Sequence, residues 1–187
     1  MTRVLGIDPG LGRTGAALVE GVPSSLRLIS ATRLDTIPQT SEAARLCNLF
    51  DLVVDVVNQW RPDVASIELL FVSTNKRTAM RVSEARGVIL CALGRNRIPV
   101  HEYTPTQVKD AVCGYGGARK PQVVRMTSSI LGLEPASDDV ADACAVAICH
   151  HHRSALQSST RNLPSQPLSD RLQVAVARAR AVTRAVL

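Results

Sequence analysis

Four acidic residues of this 187-residue chain stand where an apolar side chain would pack better. Asp8 ends the apolar stretch Val-Leu-Gly-Ile, and Glu68 lies inside the stretch VASIELL. Asp139 and Asp142 lie three residues apart in an Ala- and Val-rich segment, so a helix would place both on one face. Burying a carboxylate is costly unless something pairs with its charge. The set therefore predicts one shared site.

The chemistry that such a set could perform is metal-dependent hydrolysis. A divalent cation reverses the repulsion between neighbouring carboxylates, and Mg²⁺ prefers oxygen ligands. Two metal ions about 4 Å apart can activate a water molecule, neutralise a phosphate and stabilise the leaving oxygen of a phosphodiester. Taken singly, each acid has a simpler explanation: Asp8 could belong to a turn, Glu68 could face water at a strand end, and the pair Asp138-Asp139 could cap a helix.

Lysines and histidines form two further groups of interest. Only three lysines are present, and two of them, Lys109 and Lys120, flank the glycine-rich segment Cys113–Lys120. Ordinary surface lysines are the simpler explanation. The three histidines at 150–152 lie at the end of the last predicted helix, so we expect a solvated helix end where they interact with the helix dipole. No Ser-His-Asp pattern indicates covalent catalysis.

The elements that must hold the acids follow from the apolar periodicity. Apolar stretches and one alternating segment predict strands over Arg3–Asp8, Thr14–Glu20 and Leu26–Leu34, and the short connections favour an antiparallel meander. Two more strands are predicted at Val64–Leu70 and Ile98–Tyr103.

Helical spacing of apolar residues indicates helices around and after the last two strands. We predict them over Ser41–Trp60, Asn75–Asn96, Thr106–Val112, Gln122–Leu131 and Asp139–His151. Ser41 is the expected N-cap of the first, and Ser137 or Asp138 that of the last. The order βββ-α-β-α-β-αα-α predicts an α/β fold, a mixed five-stranded sheet flanked by helices.

The composition changes near residue 154. Ser154–Ser169 is polar and contains Pro and Ser, which is typical of a linker, and Asp170–Leu187 has an Arg/Ala/Val helical pattern. Residues 154–187 carry five arginines and one aspartate, which is +4 of the net charge of +6. We therefore predict a folded domain over 1–153 and a polar linker with a basic tail over 154–187. The basic charge favours an anionic partner, with nucleic acid first.

Cysteine usage and hydropathy exclude several classes of protein. The five cysteines form no CxxC pair, so neither a zinc site nor a disulfide framework is predicted, and most of them are expected to be reduced core residues. No apolar run approaches the roughly 20 residues that a membrane span needs. The N-terminal residues lack the apolar stretch of a signal peptide. We expect a cytoplasmic protein that does not contact a membrane.

Five motifs occur in an order that resembles one known family. They are GIDPG at Gly6–Gly10, Ile67-Glu68 leading to Phe71, ARGV at Ala85–Val88, QVK at Gln107–Lys109, and DVADA at Asp139–Ala143. Together they resemble the RuvC family of Holliday-junction resolvases over roughly residues 1–153. The resemblance implies the ribonuclease H-like fold. It also implies an endonuclease that resolves Holliday junctions in DNA recombination and repair by paired, symmetric, metal-dependent cuts.

The resemblance assigns roles to the four acids. Asp8, Glu68, Asp139 and Asp142 match the family's catalytic carboxylates, which implies that they bind Mg²⁺, two ions per active site, with Mn²⁺ as an alternative. Asp138 is an additional neighbour, which we interpret as a helix cap.

The resemblance also assigns DNA-contacting residues. Lys109 and Lys120 match basic residues that act near the scissile phosphate, which implies that both are catalytic residues. Arg119 is expected to contact the DNA beside them. Phe71 matches a loop residue that enters the junction and stacks on an unpaired base, a general role of aromatic side chains on single strands.

The implied partners are a four-way DNA junction, a second copy of the chain and the RuvA–RuvB branch-migration complex. A two-fold dimer suits a substrate of near two-fold symmetry that needs two symmetric cuts. The helix predicted over Asn75–Asn96, rich in small residues, is the candidate dimer interface.

Three competing functions fit part of the sequence. GIDPG could be the phosphate loop of an actin-like ATPase or sugar-kinase lobe, but 187 residues are too few for two lobes. A non-catalytic, basic nucleic-acid-binding module would explain the charge but not the four acids. A ribonuclease H-like nuclease acting on RNA–DNA hybrids would keep the fold and change the substrate.

Overall fold

Five strands and five helices are present in the part of the chain that the structure describes. This computed structural model describes residues 1–69, 76–132 and 137–161. The strands are β1 (Thr2–Asp8), β2 (Arg13–Val22), β3 (Ser25–Asp35), β4 (Val64–Glu68) and β5 (Val100–Tyr103). The helices are α1 (Glu42–Trp60), α2 (Lys76–Arg95), α3 (Pro105–Cys113), α4 (Lys120–Leu131) and α5 (Asp138–Arg161).

The strands form one mixed sheet in the order β3-β2-β1-β4-β5. The meander β1-β2-β3 is antiparallel, whereas β4 and β5 join β1 in parallel. This confirms the predicted mixed five-stranded sheet. In the parallel register Ile7 lies opposite Ile67, so Asp8 and Glu68 follow at neighbouring strand ends along the same edge of the sheet.

Two aliphatic layers cover the sheet, one on each face. Alternate residues of β1, Leu5 and Ile7, pack with α1 and α2, whereas Val4 packs with residues of α3, α4 and α5. Because side chains alternate along a strand, Gly6 and Asp8 lie on the same face as Val4. The acid at the end of β1 therefore lies on the α5 side of the sheet.

Helix α1 has well-defined ends. The Ser41 side chain accepts a hydrogen bond from the Ala44 amide, as predicted for an N-cap. The helix ends at the buried Trp60, followed by Arg61 in a left-handed conformation (φ 48°). Trp60 packs in the aliphatic layer between α1, α2 and the sheet.

Helix α5 extends further than the sequence predicts. It runs to Arg161, so the prediction of a linker from Ser154 is corrected for Ser154–Arg161. The cause is visible in the sequence, because no Gly or Pro follows His151 until Pro164 and nothing interrupts the helix. All five strands lie in the first of two compact units, Met1–Leu156, and the second comprises Gln157–Leu187. The predicted boundary between a nuclease domain over 1–153 and a basic tail over 154–187 stays a prediction.

The cysteines divide between core and surface. Cys144 and Cys149 of α5 are fully buried, as predicted, whereas Cys47 and Cys91 are exposed and Cys113 is half-buried. The prediction that most cysteines lie in the core is therefore wrong, because Cys47 and Cys91 lie on the solvent-facing sides of α1 and α2. In the described residues no helix is long and apolar enough to cross a bilayer.

Helix α5 packs unusually close to the sheet, and two glycines make this possible. A Cβ on Gly6 would collide with the Ala143 carbonyl oxygen, and a Cβ on Gly15 would collide with that of Asp139. Gly15 pairs with Asp8 across β1 and β2. The missing side chain at Gly15 thus brings the first turn of α5 down beside Asp8.

Replacing Gly15 by alanine should lower the free energy of unfolding by about 1–3 kcal/mol, because the new methyl group forces α5 away from β2. Gly94→Ala is the matched control, since its Cβ meets nothing within 4 Å and Ala favours the helix. Chemical denaturation of both variants measures the difference. Equal stability of the two variants would contradict the close approach.

Candidate active site

The four predicted acids come from three elements that meet at one edge of the sheet. Asp8 ends β1 and Glu68 ends the neighbouring parallel strand β4. Asp139 and Asp142 lie on the first turns of α5, which crosses the same face. The close contact of the Asp139 backbone with Gly15 fixes the start of this helix over the end of β1.

Electrostatic coupling shows that the four acids share one neighbourhood. Burial, followed by repulsion from Asp142, Glu68 and Asp139, raises the pKa of Asp8 from 3.8 to about 7. Lys120 acts in the opposite direction and lowers the pKa of Asp8. Asp8, at the end of β1, therefore interacts electrostatically with each of the other three predicted acids.

Glu68 lies in the same field. Burial and the charge of Asp142 raise the pKa of Glu68, while Lys109 and Lys120 lower it. Glu68 and Asp142 also line one cleft of about 290 Å³ together with both lysines. The cleft is completed by Pro105, Val108, Val123 and Ala145.

Lys120 is bound directly to the acids of α5. Its Nζ donates to Asp142 Oδ2 at 2.8 Å and lies 3.6 Å from Asp138 Oδ2. The hydrogen bond to Asp142 is the main cause that raises the pKa of Lys120. Lys120 therefore stays protonated and places a positive charge in the lining of the cleft.

The turn between α3 and α4 positions both lysines. Helix α3 starts with a capping box, in which the Gln107 amide donates to Thr104 Oγ1 and the Thr104 amide donates to Gln107 Oε1. It ends at Gly114, which has a φ of 81° that favours glycine. Helix α4 then begins at Lys120, so the glycine-rich segment turns the chain back towards the cleft.

The loop that follows Asp8 is held by hydrogen bonds that the sequence did not indicate. Thr14 Oγ1 donates to the Gly10 carbonyl at 2.7 Å and accepts from the Gly10 amide at 3.2 Å. Thr36 Oγ1 donates to the Leu11 carbonyl at 2.5 Å, and Arg45 donates to both Thr36 Oγ1 and that carbonyl. Helix α1 therefore steadies the chain just beyond Asp8.

The donor set suits a hard divalent cation. Asp8, Glu68, Asp139 and Asp142 offer only carboxylate oxygens, the ligands that Mg²⁺ prefers, and a cation among them would relieve the repulsion that raises the pKa of Asp8. Within the described ranges, no three Asp, Glu, His or Cys side chains converge as a complete ligand set. The four acids as metal ligands therefore stay a prediction.

The remaining predicted site residues have separate outcomes. Arg119 is exposed immediately before α4, beside Lys120. Asp138 is the exposed first residue of α5 and pairs with Lys120, while the cap hydrogen bond runs from the Val140 amide to Ser137 Oγ. Ser137 is therefore the N-cap rather than Asp138. Phe71 lies outside the described residues.

The histidines do not lie at a solvated helix end, and this expectation is wrong. His150 and His151 are buried inside α5, at 5% and 4% exposure. His151 Nε2 lies 3.1 Å from the Val19 carbonyl oxygen, and His152 Nδ1 lies 2.9 Å from that of Ala111. The helix continues beyond them, so they face packed neighbours instead of water.

Comparison with known proteins places the chain in one family. The family model described as Crossover junction endodeoxyribonuclease RuvC matches residues 4–150. A protein of the same description from Caldicellulosiruptor saccharolyticus is 44% identical over 151 residues, covering 79% of this chain and 91% of that protein. Another from Roseiflexus sp. (strain RS-1) is 46% identical over 151 residues, covering 80% and 90%.

Solved structures agree with the sequence comparison. T. thermophilus RuvC, in complex with Holliday junction substrate, has a TM-score of 0.80 and 32% identity over 84% of this chain and 98% of that chain. The yeast mitochondrial Holliday junction resolvase has a TM-score of 0.65 at 16% identity, covering 86% and 84% of the two chains, and shares the fold. The predicted ribonuclease H-like fold is thereby confirmed.

The raised pKa of Asp8 predicts a pH-dependent stability. The folded protein keeps the Asp8 proton up to about pH 7, whereas the unfolded chain releases it near 3.8, so folding loses stability as the pH rises through this interval. Asp8→Asn should therefore be more stable than wild type by up to about 4 kcal/mol above pH 7 and have little advantage near pH 4.

Denaturation in chelator across pH 4–8 measures this difference. Asp55→Asn, which removes an exposed carboxylate from α1, is the control. A difference between Asp8→Asn and wild type that does not change with pH would contradict the coupling.

Proposed function

This chain belongs to the RuvC family of crossover junction endodeoxyribonucleases, and we propose that it resolves Holliday junctions by hydrolysing DNA phosphodiesters. The observation that carries the proposal is the coupling of Asp8 to the other three acids and to Lys120 at one sheet edge. Four carboxylates with adjacent lysines suit phosphodiester hydrolysis. The alternative substrate, an RNA–DNA hybrid, is not favoured, because the family and its junction-bound relative point to four-way DNA.

We propose that Asp8, Glu68, Asp139 and Asp142 hold Mg²⁺, two ions per site, with Mn²⁺ as an alternative. When bound, such ions supply an activated water and neutralise charge on the phosphate. The chain's own contribution is geometric, because Asp8 and Glu68 sit on rigid strand ends and Asp139 and Asp142 on a buried helix. Because these side chains are already held in place, little free energy is needed to reorganise them when the transition state forms.

The lysines contribute positive charge next to the acids. Lys109 and Lys120 line the same cleft as Glu68 and Asp142, and Lys120 is bound to Asp142, so a phosphate that enters would meet cations next to the carboxylates. We propose that they orient the scissile phosphate and stabilise the negative charge that builds up in the transition state. Arg119, which is exposed immediately before α4, and Phe71 are proposed as further DNA contacts.

We propose that the enzyme acts as a homodimer, with the RuvA–RuvB branch-migration complex as a partner expected from the family. A surface between α1 and α2 supports the dimer, because apolar side chains line an open groove of about 310 Å³ there. Its lining is Leu46, Cys47, Phe50, Asp51, Val88 and Cys91. The groove extends the predicted interface on α2 to the neighbouring α1.

Each of the substitutions Asp8→Asn, Glu68→Gln, Asp139→Asn and Asp142→Asn should lower the single-turnover cleavage rate of a four-way junction by more than about a hundredfold. Junction affinity should be retained, because removing a metal ligand affects the transition state more than ground-state binding.

Cleavage gels with Mg²⁺ and gel shifts with Ca²⁺ separate cleavage from binding. Asp55→Asn, which removes an exposed carboxylate from α1, is the control and should cut normally. Near wild-type cutting by any of the four variants would remove that acid from the site. Wild-type cutting of RNA–DNA hybrids in preference to junctions would overturn the proposed substrate.

Lys109→Ala and Lys120→Ala should slow cleavage by about tenfold or more while changing junction affinity by less than about threefold. The reason is that each supplies one charge at the scissile phosphate, whereas many cations share the binding energy. Arg125→Ala, an exposed cation on the same helix as Lys120, should not slow cleavage. Equal losses of rate and affinity would identify the lysines as ordinary backbone contacts.

A further inference from the structure

A buried hydrogen bond joins the edge strand β5 to helix α5. The Tyr103 hydroxyl oxygen lies 2.8 Å from His150 Nδ1. Both residues are buried, at 7% and 5% exposure. His101 adds a ring contact, with its centroid 4.6 Å from that of His150. Neither Tyr103 nor His150 belongs to the acid cluster.

This hydrogen bond connects α5, which carries Asp142, to β5, the strand that pairs with the end of β4 at Glu68. Tyr103 pairs with Glu68 in the parallel register of β4 and β5, and its carbonyl accepts a 2.7 Å hydrogen bond from the Leu69 amide. His150 lies on the same helix as Asp142. A continuous chain of backbone and side-chain contacts thus runs from Glu68 to the helix that bears Asp142.

The connection opposes a repulsion. Asp142 raises the pKa of Glu68, which means that the two carboxylates repel each other. A second contact, from Ser66 Oγ to the Val146 carbonyl at 3.2 Å, joins β4 to the middle of α5. The Tyr103–His150 bond adds a fixed point one helical turn further on, at β5.

Both partners stay uncharged over the working pH range. Burial, with the neighbouring His101 and His151, lowers the pKa of His150 to about 4. Burial raises the pKa of Tyr103 to about 12. The hydrogen bond is therefore not broken by titration near neutrality.

We propose that Tyr103 and His150 are positioning residues of the active site, which hold α5 against β5 and thereby set the spacing between Glu68 and Asp142. The inference rests on the proposed function, in which these two acids bind metal. Mg²⁺ tolerates little departure from octahedral geometry, so a small shift of one carboxylate weakens the site. A misplacement of about 1 Å can cost a hundredfold in rate.

The test begins with Tyr103→Phe, which removes only the hydroxyl. We expect the single-turnover cleavage rate with Mg²⁺ to fall about tenfold while junction affinity stays within about twofold. Without DNA, calorimetric titration with Mn²⁺ should show at least threefold weaker binding than wild type. The second measurement does not depend on cleavage.

Substitutions at His150 test the same bond from the other side. His150→Asn keeps a polar group near the position of Nδ1, whereas His150→Leu removes it. We expect the Asn variant to retain more of the cleavage rate and the Mn²⁺ affinity than the Leu variant. The reverse order would overturn the proposal.

His151→Leu is the matched control. It removes a buried histidine from the same helix, but one whose hydrogen bond reaches the Val19 carbonyl in β2 instead of the strand next to Glu68. We expect it to lower the melting temperature at least as much as Tyr103→Phe and to leave rate and Mn²⁺ affinity within about twofold.

The outcomes separate three cases. A wild-type cleavage rate and Mn²⁺ affinity in Tyr103→Phe would overturn the positioning role. So would losses of rate and affinity in both Tyr103→Phe and His151→Leu that are proportional to the fall in their melting temperatures. Failure of the wild-type enzyme to cut junctions would instead overturn the proposed function. In that event, selective weakening of Mn²⁺ binding in Tyr103→Phe would still support the positioning of Glu68 and Asp142.

Discussion

Helix α5 lies so close to strands β1 and β2 that no methyl group fits between them at Gly6 or Gly15. The rest of the site depends on this contact. It brings the first turns of α5, with Asp139 and Asp142, over the strand ends that carry Asp8 and Glu68. The helix is buried from Val140 to His151 except at Asp142, which faces the cleft, so packing holds it in place. A site built on such an element keeps its geometry without a ligand.

The same contact creates an electrostatic cost that the protein only partly offsets. Burial and mutual repulsion raise the pKa values of Asp8 and Glu68, so the free protein is less stable at neutral pH than the same fold with neutral side chains. Lys120, which is bound to Asp142, and Lys109 line the cleft, and their positive charges offset part of the repulsion between the carboxylates. An arrangement that is costly in the free protein and favourable around cations is common at functional sites.

Much of this architecture could be predicted from the sequence because local patterns carry it. The period of apolar residues gave the five strands, and acids inside apolar stretches marked Asp8 and Glu68. The histidines were misjudged because Ser154–Arg161 has the composition of a linker but lacks a helix breaker, so burial of His150 depended on packing that no local pattern records. The role of Gly15 could not be predicted either, since it depends on a contact with Asp139, far away in the chain.

Trp60, at the end of α1, has a consequence for spectroscopy. It is the only tryptophan of the chain, and it is buried in the layer between α1, α2 and the sheet. Its emission therefore reports the integrity of that layer. The acids, the lysines and α5 occupy the opposite face, so a movement of α5 away from the sheet could leave the intrinsic fluorescence unchanged. Backbone amide exchange in α5, or a probe attached to the glycine-rich turn, would observe the catalytic face directly.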